Sequence, residues 1–379
     1  RSLSSIALVA SATFLVGSVS ANRLEPSGEP RRSSGDGGFA LAARSSVPLT
    51  ASVRTRAGRE SLGLGPQTAR LLERADAYAF RLSEGDDASC LNVYRPLRPR
   101  ILGAREEFIR RGGFAWASSL ARTAEERANP WLLLEREFED GAIPAVADAS
   151  SAQWALHLAL GGDLAIEDAL GRERKLRLVA TLSGSIFQGE VLVAEGGFLD
   201  LFPGAEGDRF FLFEVPPPVA ADLASGLERD LSAFGFDVET TAAVLRAYRS
   251  VANTYLSTFE LLGWMGLLLG TLGLGAVLAR NVDERRRELA LLRAVGYSRA
   301  AIGFLVLAET VGLLFTGLAA GGVASLASLL PVSARAGGGV SLGAFAASLA
   351  AIAAAGTVSS GAALLFALRG PLIPALRSE

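Results

Sequence analysis

Four long runs almost free of charge constrain this chain more than any other feature. Residues 3–21, 261–279 and 342–368 carry no charge, and 300–330 carries one, Glu309, before Pro331. A helix needs about 20 mostly apolar residues to cross a hydrocarbon core, so each run predicts a membrane-spanning helix. Half of the 379 residues are hydrophobic, yet 20% are charged. A bundle of spans therefore shares the chain with a large part that sits in water.

Arg1, an apolar run and then Val19, Ser20 and Ala21 also have the form of a secretion signal with its cleavage site. Both readings of this first run put the long segment after it outside the cytoplasm. Because the chain opens on Arg1 and turns apolar at once, we expect a fragment or the C-terminal part of a longer polypeptide. Orientation comes from the arginines in the short loops. Arg280, Arg285, Arg286, Arg287, Arg293 and Arg299 lie between the second and third runs, Arg335 alone between the third and fourth, and Arg369 and Arg377 after the fourth.

The expected fold is therefore membrane α-helical, with four transmembrane helices and a large extracytoplasmic α+β domain between helices 1 and 2. Helix 1 takes 1–22 and the outer domain 23–250. A stalk and helix 2 take 251–280, and a cytoplasmic helix takes 281–299. Helix 3 takes 300–330, a short outer loop 331–341, helix 4 342–369 and a cytoplasmic tail 370–379.

Composition excludes several chemistries. Net charge is −2, so bulk electrostatics suggest no nucleic-acid partner. One cysteine, Cys90, and one histidine, His157, leave no cysteine-based zinc site and no multi-histidine metal site. Lys175 is the only lysine and lacks the neighbours of a phosphate-cradling Gly-Lys-Ser/Thr loop. We expect no cofactor, no metal and no catalytic residue.

Within the outer domain, 25–38 has nothing apolar to bury and reads as a loop. Segments 39–49, 176–182, 189–194, 209–215 and 236–239 read as strands. Segments 120–139, 149–160 and 220–233 read as helices, with Pro216, Pro217 and Pro218 extended before the last. Trp116, Trp131 and Trp154 read as core residues. His157 falls on an otherwise apolar helix, with no strand-turn-helix nucleophile elbow to give it a partner. Asp86 and Asp87 after Gly85 lack the further oxygen ligands of a calcium loop and read as a turn. Val244, Leu245, Tyr248, Val251, Ala252, Tyr255 and Phe259 recur at helical spacing. They predict either one continuous helix into the second span or a helix with a turn near Ser257.

The loop at 280–301 reads RNVDERRRELALLRAVGYSRAA. Leu289, Leu292 and Val295 share one helical face. Gly296 suits the left-handed position that ends a helix, and Ser298 suits the N-cap of the next. Such a basic amphipathic helix can simply lie on the membrane surface and set topology.

The stretch from Val251-Ala252-Asn253-Thr254-Tyr255-Leu256 through RNVDERRRELALLRAVGYSR resembles the FtsX-like, or MacB-like, permeases of ABC transporters. The run from Arg287 to Gly296 is its specific part, and Asp86-Asp87-Ala88-Ser89-Cys90-Leu91-Asn92 resembles a signature of one long-chain subgroup. The resemblance implies four spans, an outer domain between the first two, and a coupling helix that docks on an ABC-type ATPase subunit. It assigns the docking to 284–296. Leu289 and Leu292 would give apolar contacts, Glu284, Arg287, Glu288 and Arg293 charged ones, and Gly296 a close turn. It also implies a dimer of permease modules in the bacterial inner membrane, with a membrane-fusion protein as a further candidate partner.

Small residues mark close helix approach in lipid, which offers no hydrophobic drive for pairing. Gly266 and Gly270, with Gly273 a turn on, form such a pattern in the second span, and Gly317 and Gly321 repeat it in the third; the resemblance to dimeric permeases implies that the second span is the dimer-facing helix. Glu309 lies about 16 Å along the third span by helical rise, where a carboxylate is costly. With no arginine, lysine or histidine inside the spans to pair with it, we expect it to face other helices.

The expected function is coupling of ATP hydrolysis in a separate ATPase to movement of the outer domain, for export or extraction of a lipoprotein, peptide or drug-like molecule. The alternatives are a non-transporting mechanotransmitter that regulates a cell-wall hydrolase, and a membrane-anchored binding or sensor domain with no ATPase.

Overall fold

The computed structural model describes residues 2–22, 29–86, 98–336 and 342–368. The chain divides into two units, Glu25–Val251 and the pair of segments Arg1–Leu24 and Ala252–Glu379. The second unit opens with α1 (Ser2–Asn22). The first unit then runs β1 (Leu41–Leu49), α2 (Arg56–Ser61), α3 (Pro66–Leu72), β2 (Asp76–Ser83), β3 (Arg100–Ala104), α4 (Glu106–Arg111), β4 (Trp116–Ser119) and α5 (Ala124–Ala128). It continues with β5 (Ile143–Asp148), β6 (Asp163–Glu167), β7 (Glu173–Leu182), β8 (Glu190–Ala194), α6 (Glu195–Leu201), β9 (Asp208–Glu214), α7 (Pro217–Asp230) and β10 (Phe236–Thr240).

These strands form one sheet in the order β10-β1-β9-β2-β3-β8-β5-β7-β4, with β6 also beside β7. The β3–β8 and β5–β7 pairs are parallel and the others antiparallel. Successive side chains point to opposite faces of a strand, and here both faces are covered. In β9, Phe210 and Leu212 enter one core while Phe211 and Phe213 enter another. In β8, Leu192 joins the first core, and Val191 and Val193 join a third. That double burial is why 209–215 and 189–194 read as nearly continuous apolar runs.

The first core is aromatic. Phe39, Phe80, Phe108, Trp131 and Phe187 are all buried, and Phe108 meets Phe80 and Trp131 edge-on at 4.8 Å each. Burying each such ring contributes roughly 1.5–3 kcal/mol, and an edge-to-face pair about 0.5–1.5 kcal/mol more.

Several expectations need correction. The helix expected over 120–139 is α5 followed by a 3-10 turn, Pro130–Glu135. Pro130 disfavours helical backbone at the residue before it, and Asn129 is indeed non-helical at φ −138°. The helix expected over 149–160 is a single π turn, Ser151–Ala155. His157 is therefore not on a helix: it is exposed, with a left-handed φ of 53°. Pro217 and Pro218 are not extended but begin α7, whose first turn has no use for their missing N–H groups. Trp131 is core and Trp116 packs against it, but Trp154 is exposed. Apart from Asp86, the Asp86–Asn92 motif lies outside the described residues.

Local capping explains why α5 exists at all in five residues. The Thr123 hydroxyl accepts from the Glu126 N–H at 3.1 Å. The Glu126 carboxylate accepts from the Thr123 and Arg122 N–H groups and from Arg136. Those donors, the Thr123 amide foremost, hold the Glu126 carboxyl down at about 2. A carboxyl lowered on folding contributes above its ordinary value and is lost as pH falls through its folded one. The cap is therefore expected to survive acidification through the usual glutamate range and open only toward pH of about 2. Thr123→Ala should cost about 1 kcal/mol, read as faster amide exchange confined to 124–128.

The second unit continues with α8 (Thr241–Glu284), which starts in the first unit, then α9 (Arg286–Ala294), α10 (Arg299–Ala336) and α11 (Leu342–Leu368). Segment 241–284 is thus one helix with no turn at Ser257. The third apolar run does not stop at Pro331, because one lost hydrogen bond does not end a helix that continues to Ala336. Among the described residues, Ala300–Ser328 and Phe345–Ala362 are long and apolar enough to cross a membrane, and Val9–Val19 is a shorter apolar stretch. In this unit α1 packs along α10, and α11 packs on both. Val16 and Ile352 are fully buried together beside Leu318, and Ser18 hydrogen-bonds Ser325 at 3.2 Å.

Candidate functional site at the helical elbow

The basic loop of the sequence folds into an elbow made of the end of α8, all of α9 and the start of α10. Arg280 pairs with Glu284 at 2.8 Å across the last turn of α8. Arg285 then leaves helical geometry, with ψ 14° at the N-cap of α9. Glu288 stands in the first turn of α9 and Arg293 in its last, the arrangement that complements the helix dipole.

The exit from α9 is closed by hydrogen bonds. The Gly296 N–H donates to the Arg293 carbonyl and the Tyr297 N–H to the Leu292 carbonyl, each at 3.1 Å. Gly296 has a φ of 107°, which a side chain rarely tolerates. This paired closure is the glycine-ended helix cap that Gly296 predicted. Two residues on, the Ser298 hydroxyl accepts from the Ala301 N–H at 3.1 Å and starts α10.

A small apolar core sets the angle. Val282 of α8, Leu289 of α9 and Ile302 of α10 are buried together, with Leu292, Val306 and Leu307 packed around them. This corrects the expectation for Leu289 and Leu292. Leu289 is only 4% exposed, and Leu292 is half-buried on the same cluster. The apolar side chains that α9 and its exit turn do present outward are Leu291, Val295 and Tyr297, at 63%, 74% and 54% exposure. Arg287, Glu288 and Gly296 are exposed and Arg293 is half-buried. An amphipathic helix read alone shows which residues share a face. It does not show which face the rest of the chain will cover.

Glu309 also departs from expectation. Its carboxylate pairs with the Arg285 guanidinium at 3.2 Å, and its side chain is 53% exposed. It does not face other helices with its charge unmet. The turn at Arg285 folds a loop arginine back beside α10, so a pairing partner exists outside the spans themselves.

The glycines divide. A side chain at Gly317 would begin 3.0 Å from Val9, and one at Gly321 would begin 2.4 Å from the Ala10 carbonyl oxygen. Both are close-approach points between α10 and α1. Gly266 and Gly273 of α8 meet nothing within 4 Å, whereas the neighbouring Gly263 abuts Val16 of α1. Gly270 is buried. Around them Tyr255, Phe259, Leu262, Met265 and Leu269 are exposed apolar residues. Among the described residues no group of three or more His, Cys, Asp or Glu is placed to hold a metal ion.

The elbow and the helices after it fall within one recognised domain. Residues 261–372 match the family described as FtsX-like permease C-terminal. Over that stretch the chain is similar to the C-terminal part of FtsX-like permeases. Permeases of this kind are of ABC-transporter type, generally non-catalytic, and usually work with an ABC ATPase. No curated protein matches the chain. Among solved structures, the periplasmic region of MacB from Actinobacillus actinomycetemcomitans is similar at 12% identity. That likeness covers 55% of this chain and 94% of that one, with a TM-score of 0.28.

Proposed function

We propose that this chain is an FtsX-like permease, the membrane subunit of an ABC-type machine in the bacterial inner membrane. In this reading α1, α8, α10 and α11 cross the bilayer, the elbow lies in the cytoplasm, and the Glu25–Val251 unit lies outside. A separate ATPase docks on α9 through Leu291, Val295 and Tyr297, ringed by Glu284, Arg287, Glu288 and Arg293. Hydrolysis there moves the elbow, and α8 hands the motion to the outer domain, which drives export or extraction of a lipoprotein, peptide or drug-like molecule. The exposed apolar surface of α8 packs against a second permease module.

The observation that carries this reading is the outward face of α9. An apolar patch beside paired charges, on a helix held rigid by its own caps and core, supports a docking surface over a floating surface helix. The arginine excess of the same loop supports a cytoplasmic position for it.

The test uses a chain with Cys90 replaced by serine and Ala294 by cysteine. An impermeant maleimide should label it only after the cells are permeabilised, and pull-down of the intact protein should bring an ATPase with it. Ready labelling from outside would invert the topology. Absence of any ATPase in the pull-down would end the coupling assignment.

A further inference from the structure

The outer unit holds α8 at points spaced along the first turns of that helix. The Thr241 hydroxyl donates to the Phe39 carbonyl at 2.6 Å and its N–H to the Ala40 carbonyl at 3.0 Å, fixing the helix start to the strand leading into β1. One turn on, Leu245 is buried in the aromatic core at 3% exposure. Another turn on comes Arg249, whose Nη2 stands 3.6 Å from where a side chain on Gly184 would begin.

Next to Gly184 is an unusual group. Asp148, the last residue of β5, is completely buried. Its Oδ2 accepts from the Ser185 N–H at 2.6 Å and from the Ser185 hydroxyl at 2.9 Å, and its Oδ1 accepts from the Ser150 N–H at 2.9 Å. The loop that carries Ser185 is itself fixed. The Ile186 N–H donates to the Gly35 carbonyl at 3.0 Å, and a side chain on Gly35 would begin 2.0 Å from the Gly184 carbonyl oxygen. Three donors keep both carboxylate oxygens occupied, which favours the charged form; burial opposes it and pushes the group up from its ordinary value. Burial lowers the Arg249 guanidinium from its ordinary value, and the Asp148 charge works against that shift; a cation beside a buried carboxylate favours its charged form.

We infer that Arg249 is a positioning residue whose guanidinium clasps α8 to the Asp148–Ser185 catch. Through this clasp, movement of the helix reaches β5 and the loop between β7 and β8. Thr241 ties α8 to the strand leading into β1, and Leu245 ties it to the aromatic core, which includes Val146 of β5 and Ile186 and Phe187 of the β7–β8 loop; Arg249 adds a charged link to the polar side of that same region. The transmission half of the inference rests on the proposed coupling function; the clasp itself does not.

The experiment has two arms, both on the full chain in nanodiscs. In the first, without ATPase, Arg249→Met should raise amide exchange at 245–251 about tenfold and leave β1, β9 and β10 unchanged. Arg249→Lys should restore most of the protection. Asp148→Asn should act like Arg249→Met, and the double variant should add nothing further. If Asp148→Asn does not fold, Ser185→Ala takes its place in the cycle, since it removes one donor and leaves the carboxylate. Unchanged exchange in Arg249→Met, or additive effects in the double variant, would overturn the clasp. In the second arm, ATP and vanadate are added to the complex purified with its ATPase. Exchange should change at 285–298 and at 183–189, and Arg249→Met should weaken only the second change, by about tenfold. A second change of the parent's size in the variant overturns the transmission role. Silence at 285–298 in the unaltered protein condemns the coupling function instead and leaves the first arm standing.

Discussion

Gly321→Val is expected to force α1 away from α10. The added side chain would begin 2.4 Å from the Ala10 carbonyl oxygen and 2.7 Å from the Thr13 Cβ. A backbone carbonyl cannot swing aside as a side chain can, so a whole helix has to shift. The cost then falls at the upper end of overpacking, about 3 kcal/mol. The contact matters because helices in lipid gain nothing from burying apolar surface and rely on close approach. Gly317, Gly321 and Ser325 form one such stripe at four-residue intervals, and Ser325 adds the hydrogen bond to Ser18. Thermal unfolding of the detergent-solubilised chain should show Gly321→Val well below the parent. Gly312→Ala, where a side chain meets open space, should match or slightly exceed it, since alanine favours helix by up to about 1 kcal/mol. A Gly321→Val protein with the parent's midpoint would refute the packing.

The features legible in the sequence were those that depend on neighbours along the chain. Apolar runs announced the helices because their length and lack of charge need no partner. Gly296 and Ser298 announced the ends of α9 and α10 because caps are made within a few residues. Strands β8 and β9 were visible because burial on both faces left them almost purely apolar, and β7 because Leu176, Leu178 and Ala180 alternate with their neighbours. Strands β2 and β3 were hidden because each carries an arginine, Arg81 or Arg100, whose ion pairs come from distant elements: Arg81 with Glu195, and Arg100 with Glu190. The same limit explains the errors at the elbow. Nothing in RRRELALLRAVG says that Leu289 will meet Val282 and Ile302, since that depends on how three helices turn. Glu309 seemed unpaired only while Arg285 was counted as loop. Arg249 gave no signal at all, because its meaning lies in a carboxylate 101 positions away, at Asp148.

The second large effect is expected on the outward face of α9. Leu291→Glu combined with Val295→Glu places two charges where the proposed ATPase contact has its apolar centre. Side chains central to an interface carry most of its energy, with about 2 kcal/mol or more lost for each anchor removed. At about 1.4 kcal/mol per tenfold, the pair should weaken the complex by at least about a hundredfold. The folded chain should not change, because both side chains are already in solvent at 63% and 74% exposure. Leu289→Glu is the informative contrast. It buries a charge among Val282 and Ile302, so it should also lose the ATPase, but with faster amide exchange across 282–302. Binding of ATPase to each variant, measured beside that exchange, separates the two causes. Should Leu291→Glu with Val295→Glu bind as tightly as the parent, α9 docks through some other face or not at all.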